Sequence, residues 1–142
     1  MLRSPARFQQ TAKRLVELYR ANQKSADSDP SIRDAVLKSW MDAEAYALAT
    51  YATASRLARG GQIGAEASTN KIFWSELDLA MHETAMSLLG ARAELMPHAP
   101  DAVGVDGWLD GFLFSLAGPI YAGTNEIQRN IIAERMLGLP RA

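Results

Sequence analysis

Residues 29–61 read DPSIRDAVLKSWMDAEAYALATYATASRLARGG, and their reading decides the fold. Asp29 is a natural N-cap, and Pro30 suits a first helical turn, where its missing N–H has no partner to lose. Ile32, Val36, Trp40, Ala43, Ala47, Leu48, Tyr51, Ala54 and Leu57 then recur at helical steps and form one stripe. Gly60 and Gly61 end the run, as glycine past a C-cap does. The spacing predicts a single long helix over 30–59. Such a helix hides its stripe by packing on other helices.

Working outward, the same grammar repeats. Ser4-Pro5 is a second cap-and-proline start, and Phe8, Ala12, Leu15, Val16 and Tyr19 predict a helix over 4–22. The stretch from Asn22 to Asp29 is polar and interrupts the pattern. A third helix is expected from near Ser68 to Gly90, with Ile72, Phe73, Leu77, Ala80, Met81, Ala85, Leu88 and Leu89 apolar. Pro97, Pro100 and Gly104 mark residues 91–106 as a loop. A short helix over Trp108–Ala117 is broken by Gly118-Pro119, and a last one runs from about Thr124 to Leu137. No segment alternates with the period of a strand between hairpin turns, and no internal repeat occurs. The expected fold is all-α: an up-down four-helix bundle with a short extra helix, occupying residues 1–142 as one domain.

Composition narrows the function classes. Hydrophobic residues are 48% and charged residues 22%, with a formal charge of −1. That balance gives no electrostatic footing for nucleic acid or an anionic membrane. There is no cysteine, so disulfide and thiolate chemistry are excluded. No apolar run approaches the roughly 20 residues of a membrane span, and the first residues lack a signal-peptide core. A cytoplasmic protein is expected.

Candidate reactive groups are few. His82, with Asp78 and Glu83 nearby, has spacing a metal site could use, but it reads as a solvated or interfacial pair with no second ligand pair; no metal is expected. His98, between Pro97 and Pro100, reads as surface. Asp42 with Glu44, and Asp106 with Asp110, read as capping and solubilising carboxylates rather than acid–base pairs. Trp40, Phe73, Trp74 and Trp108 are core or interface; Trp74 sits at the margin of its stripe, which leaves contact with another subunit open beside the core reading. There is no glycine-rich nucleotide loop and no nucleophile elbow.

The most distinctive stretch is GPIYAGTNEIQRNIIAERMLGLP, residues 118–140. Gly123 gives backbone freedom before Thr124, whose hydroxyl is placed to cap the last helix. Uncapped N–H groups there favour an anionic or electron-rich neighbour. A plainer reading is a capped final helix packing through Ile127, Ile131, Ile132 and Leu137.

This stretch closely resembles the C-terminal signature of the acyl-CoA dehydrogenases, flavoenzymes that introduce an α,β double bond into acyl-CoA thioesters. The segments 4–22, 30–59, 68–90 and 108–137 resemble that family's C-terminal helical domain in order and length, and Asn70-Lys71-Ile72-Phe73 and Ile131-Ile132-Ala133-Glu134-Arg135 add to the likeness. The resemblance implies FAD as cofactor in the complete protein or assembly, and acyl-CoA as substrate. It also implies an electron-transfer flavoprotein or similar acceptor, and a homo- or hetero-oligomer in which this domain makes central contacts. By position, Gly123 would lie against the thioester, and Thr124, Asn125 and Glu126 would line the flavin. Gln128 and Arg129 would brace the helix.

Three departures stand out. Where many members carry the catalytic glutamate, this chain has Ala122, which cannot remove a proton. The base would then come from an earlier helix upstream of Met1, or from a partner subunit, or activity has been lost. The family's Arg-Gln-Phe-Gly-type segment is replaced by Asn22–Asp29, and its Gly-Gly turn by Leu89-Gly90-Ala91-Arg92. The family's N-terminal helical and middle β-domains have no counterpart here. The chain is therefore expected to be a C-terminal domain that is inactive alone. The alternative is a non-catalytic helical partner or scaffold subunit of a dehydrogenase assembly.

Overall fold

The computed structural model describes residues 3–23, 29–96, 99–100, 102 and 107–141. Among the described residues five α-helices appear in chain order: α1 (Pro5–Ala21), α2 (Pro30–Ala58), α3 (Glu66–Leu89), α4 (Trp108–Ser115) and α5 (Asn125–Arg135). No strand occurs among the described residues, so the all-α expectation holds. None of the described helices is long and apolar enough to cross a membrane.

The helix starts follow local chemistry. Asp29 Oδ1 accepts from the Ser31 N–H at 2.9 Å and caps α2 as expected. Ser4 stands at the N-cap of α1 without a side-chain capping bond, and Pro5 occupies the first turn. The third helix opens at Glu66 rather than near Ser68, with Glu66 in its first turn, where a carboxylate favours the helix dipole. Gly90, at φ +55, ends it. Residues Gly90–Glu94 then form a 3-10 turn where a plain loop was expected. Gly138, at φ +68, closes the chain past α5, which ends at Arg135 rather than Leu137.

The third helix is the hub: α1, α2, α4 and α5 all pack on it, and α1 also lies along α2. Phe8, Leu15, Tyr46, Trp74 and Met81 fill the centre, each no more than 2% exposed. Phe8 meets Tyr46 edge-on at 5.0 Å between ring centroids. Trp74 therefore belongs to the core; it does not face outward from the margin of its stripe. Spacing misplaced it because α3 buries a face broad enough to include Ser75, Asp78 and His82.

The stripe on α2 also divides. Val36, Ala43 and Ala47 are buried, joined by Tyr46, while Trp40, Leu48 and Tyr51 are exposed. Two apolar faces lie side by side on this helix, and periodicity fuses them. On α5, Asn125 alone is fully buried; Ile127 and Leu137, expected to pack the helix, are 51% and 68% exposed. Ile131 and Ile132 are half-buried, and polar pins hold the first turn of the helix.

Candidate functional site

Between α4 and α5 the chain makes a compact turn over residues 116–124. Gly118 is buried there: a Cβ would stand 2.9 Å from the Ser115 carbonyl oxygen and 3.4 Å from Ser75 Cβ, so only glycine lets the turn approach α3. The Asn125 N–H donates to the Pro119 carbonyl at 2.9 Å and closes the loop. Ala122 and Gly123 both adopt left-handed backbone, at φ +56 and +82. For Ala122 that conformation costs about 1 kcal/mol. Gln128 Nε2 donates to the Ala122 and Gly123 carbonyls at 3.0 and 3.4 Å and holds both in place.

The outer face of this turn is open. Ala122, Gly123 and Glu126 are exposed, with no side chain larger than a methyl at 122 and 123. Thr124 Oγ1 accepts from the Ile127 N–H at 3.3 Å, the cap anticipated from sequence. The Glu126 carboxyl is held below its ordinary pKa, chiefly by its own backbone N–H and then by the Thr124 hydroxyl. It is an ionised, exposed carboxylate at a helix start.

Asn125 points the other way. It is 3% exposed, and its Oδ1 accepts from Lys71 Nζ at 2.6 Å and Ser75 Oγ at 3.2 Å. Its Nδ2 donates to Glu76 Oε1 at 3.3 Å. One turn along, Arg129 pairs with the same Glu76 oxygen at 2.6 Å, so Arg129 and Gln128 do brace the helix. Burial lowers the Lys71 pKa, opposed by the Glu126 and Glu76 charges. From the opposite side, Arg3 donates to Tyr121 Oη at 2.8 Å while its guanidinium lies over the Trp74 ring at 4.9 Å. The turn is thus clamped by α3 beneath and by Arg3, two residues ahead of α1.

His82 and Asp78 are interior residues, correcting the reading of a solvated or interfacial pair. His82 is 7% exposed, donates from Nδ1 to the Asp78 carbonyl at 2.7 Å, and meets Trp108 edge-on at 5.6 Å. The Asp78 carboxylate is bound by Arg7 at 2.9 Å. Its pKa is nonetheless raised, because burial outweighs the Arg7 and His82 charges. Among the described residues, no three His, Asp or Glu side chains gather as metal ligands. Asp42 pairs with Lys38, Glu44 accepts from Gln9, and Asp110 lies in the first turn of α4; Asp106 and His98 lie outside the described residues.

Away from the turn, a cavity of about 470 Å³ lies between α2 and α3 and reaches the end of α5. Tyr46, Ala49, Thr53, Asn70, Phe73 and Met136 line it. No short motif marks it in the sequence. Lys71, Ser75 and Glu76 were also missed as site residues. The available signal was polar residues at 71, 75, 78 and 82, which recur at the spacing of the buried face.

Residues 122 and 123 of the turn present only backbone and a methyl group outward. They offer no base at position 122. Comparison with known proteins bears on the family of the chain. IpdE1, an acyl-CoA dehydrogenase of Mycobacterium tuberculosis, is 37% identical over 127 residues, which are 89% of this chain and 31% of that protein. The IpdE1 of Mycolicibacterium smegmatis is 38% identical over 138 residues, 95% of this chain and 32% of that protein. The chain thus spans about a third of the length of these relatives. The crystal structure of the ChsE4-ChsE5 complex from Mycobacterium tuberculosis superposes with a TM-score of 0.69 at 26% identity, covering 92% of this chain and 37% of that one. The model of the acyl-CoA dehydrogenase C-terminal domain matches residues 3–137. By that match the chain belongs to the acyl-CoA dehydrogenase family and corresponds to its C-terminal helical domain.

Proposed function

We propose that this chain works as the C-terminal part, residues 1–142, of an FAD-dependent acyl-CoA dehydrogenase assembly and is inactive by itself. The outward turn carries this reading: two left-handed residues with minimal side chains, braced from behind, lie where the resemblance puts the reacting centre. Gly123 would lie against the acyl-CoA thioester. Thr124 and Glu126, at the open start of α5, would line the flavin, with Asn125 supporting them from beneath. The flavin, when bound, supplies the hydride acceptor, and an electron-transfer flavoprotein or similar protein would reoxidise it.

Ala122 brings no carboxylate, so the α-proton would be taken by a group from elsewhere in the assembly. The exposed apolar residues support such an assembly. Leu37, Met41, Leu48 and Tyr51 along α2, and Leu113, Phe114 and Ile120 around α4 and the turn, are each more than half exposed. Apolar surface on this scale marks an interface with another domain or subunit, homo- or hetero-oligomeric.

The test is to combine the chain with the family's N-terminal helical and middle β-domains, joined or as a separate subunit. Bound flavin and its bleaching by acyl-CoA are then measured with and without the chain. The reading expects both only when the chain is present. Equal flavin content and turnover without it would favour the second reading, which Ala122 supports: a non-catalytic helical partner or scaffold. In the active assembly, Thr124→Val combined with Glu126→Ala should weaken flavin binding; unchanged affinity would remove these two residues from the site.

A further inference from the structure

We propose that Lys71 is a positioning residue: its buried ammonium, acting through Asn125, sets the place and orientation of the Ala122–Gly123 turn. The inference rests on the proposed function for its catalytic consequence and on the geometry for the rest. Lysine is almost never fully buried unless paired. Lys71 is 3% exposed; its hydrogen bond goes to a neutral amide oxygen, Asn125 Oδ1, at 2.6 Å, while the carboxylates of Glu126 and Glu76 act on it through their charge. Burying an ammonium against a neutral acceptor is a poor way to hold two helices together, because an apolar residue of similar size avoids the desolvation penalty. Such a contact provides direction instead. A hydrogen bond fixes an angle as well as a distance, whereas apolar packing lets a helix slide.

The arrangement needs that direction. Asn125 is the one fully buried residue of α5. Its amide takes three hydrogen bonds, from Lys71 and Ser75 and to Glu76, all on α3. Those bonds fix the rotation of the first turn of α5. The setting is passed on by two links: Asn125 N–H to the Pro119 carbonyl at 2.9 Å, and Gln128 Nε2 to the Ala122 carbonyl at 3.0 Å. Lys71 thus touches neither of the exposed residues, yet it is two hydrogen-bonded steps from the turn they form. In a reacting site, a misplacement of about 1 Å far from the chemistry can lower the rate on the order of a hundredfold.

The experiment has two arms, using Lys71→Met, which keeps the stem and removes the donor, and Lys71→Gln, which retains an N–H donor. In the first arm, hydrogen exchange of the full chain is followed by mass spectrometry. Lys71→Met should speed exchange in peptides covering 118–128 by about tenfold or more and leave α1 and α2 unchanged, with Lys71→Gln in between. Unchanged exchange at 118–128, or faster exchange everywhere, would overturn the proposal. In the second arm, the same variants are placed in the flavin-loaded assembly. Lys71→Met should lower kcat roughly tenfold or more at unchanged flavin content, with KM for acyl-CoA within about twofold and partial rescue by Lys71→Gln. Unaltered kcat, or a loss that only tracks flavin loss, would overturn the catalytic consequence. If the wild-type assembly neither binds flavin nor reacts with acyl-CoA, the proposed function fails, while the exchange arm still decides whether Lys71 positions the turn.

Discussion

Replacing Gly111 with alanine sets two opposed effects against each other, and the structure decides the sign. Gly111 lies inside α4, where alanine is favoured by helix propensity by about 1 kcal/mol. A Cβ at that position would stand 2.4 Å from His82 Nε2 and 2.7 Å from Cδ2, whereas ordinary contact begins near 3.4 Å. The imidazole must therefore retreat by about 1 Å. It has little room, because it is 7% exposed, packed on Trp108 and bonded through Nδ1 to the Asp78 carbonyl. Overpacking of this kind costs about 1–3 kcal/mol, and weakening the His82 hydrogen bond adds about 1 kcal/mol. After the propensity gain, the net is a loss of about 2 kcal/mol. For a chain of this size the unfolding midpoint should fall by roughly 5–10 °C, read by circular dichroism. In a His82→Ala background the obstacle is gone, and Gly111→Ala should then raise the midpoint. If Gly111→Ala stabilises the chain with His82 present, the wedge between α3 and α4 is not packed as described.

Ala122→Gly should stabilise the chain by about 1 kcal/mol, since glycine enters the left-handed region without strain; denaturant titration showing a loss would contradict the backbone assignment. Thr124→Val should cost about 1 kcal/mol through loss of the α5 cap, and an unchanged midpoint would mean that Thr124 Oγ1 does not cap. Lys71 makes a pH prediction. Its pKa is lower folded than unfolded, so between the lowered value and 10.5 the unfolded chain binds more protons, and this group's contribution to stability rises with pH. The midpoint of wild type relative to Lys71→Met should therefore climb as pH approaches 10.5; a flat difference would mean that the Lys71 amine is not desolvated.

The helices were readable because their punctuation is local. Asp29-Pro30 and Thr124 announced real caps, and Gly60, Gly90 and Gly138 all stand at helix ends in left-handed backbone. Burial was less readable where a helix carries more than one apolar face. Trp40 and Tyr51 look like core in a periodic count yet lie on the solvent side of α2, and Trp74 looks marginal yet fills the core. The polar interior of α3 was the least legible part. Lys71, Ser75, Asp78 and His82 read as surface by residue type, and only their three-dimensional partners Asn125, Arg7 and Trp108 explain their burial. The same holds for Asn125. Its place in the terminal motif directs attention to the flavin, but its amide serves the contact between α5 and α3.

The central claim is that the Ala122–Gly123 face meets substrate and flavin within an assembly. The chain contains no cysteine, so Ala122→Cys introduces a unique thiol at an exposed position. Its alkylation rate would be measured in the isolated chain and in the flavin-loaded assembly, each with and without acyl-CoA. The account predicts rapid alkylation of the isolated chain regardless of acyl-CoA, slower alkylation in the assembly, and further protection there by acyl-CoA. Equal rates in all four conditions would show that position 122 faces solvent throughout, and would contradict the account.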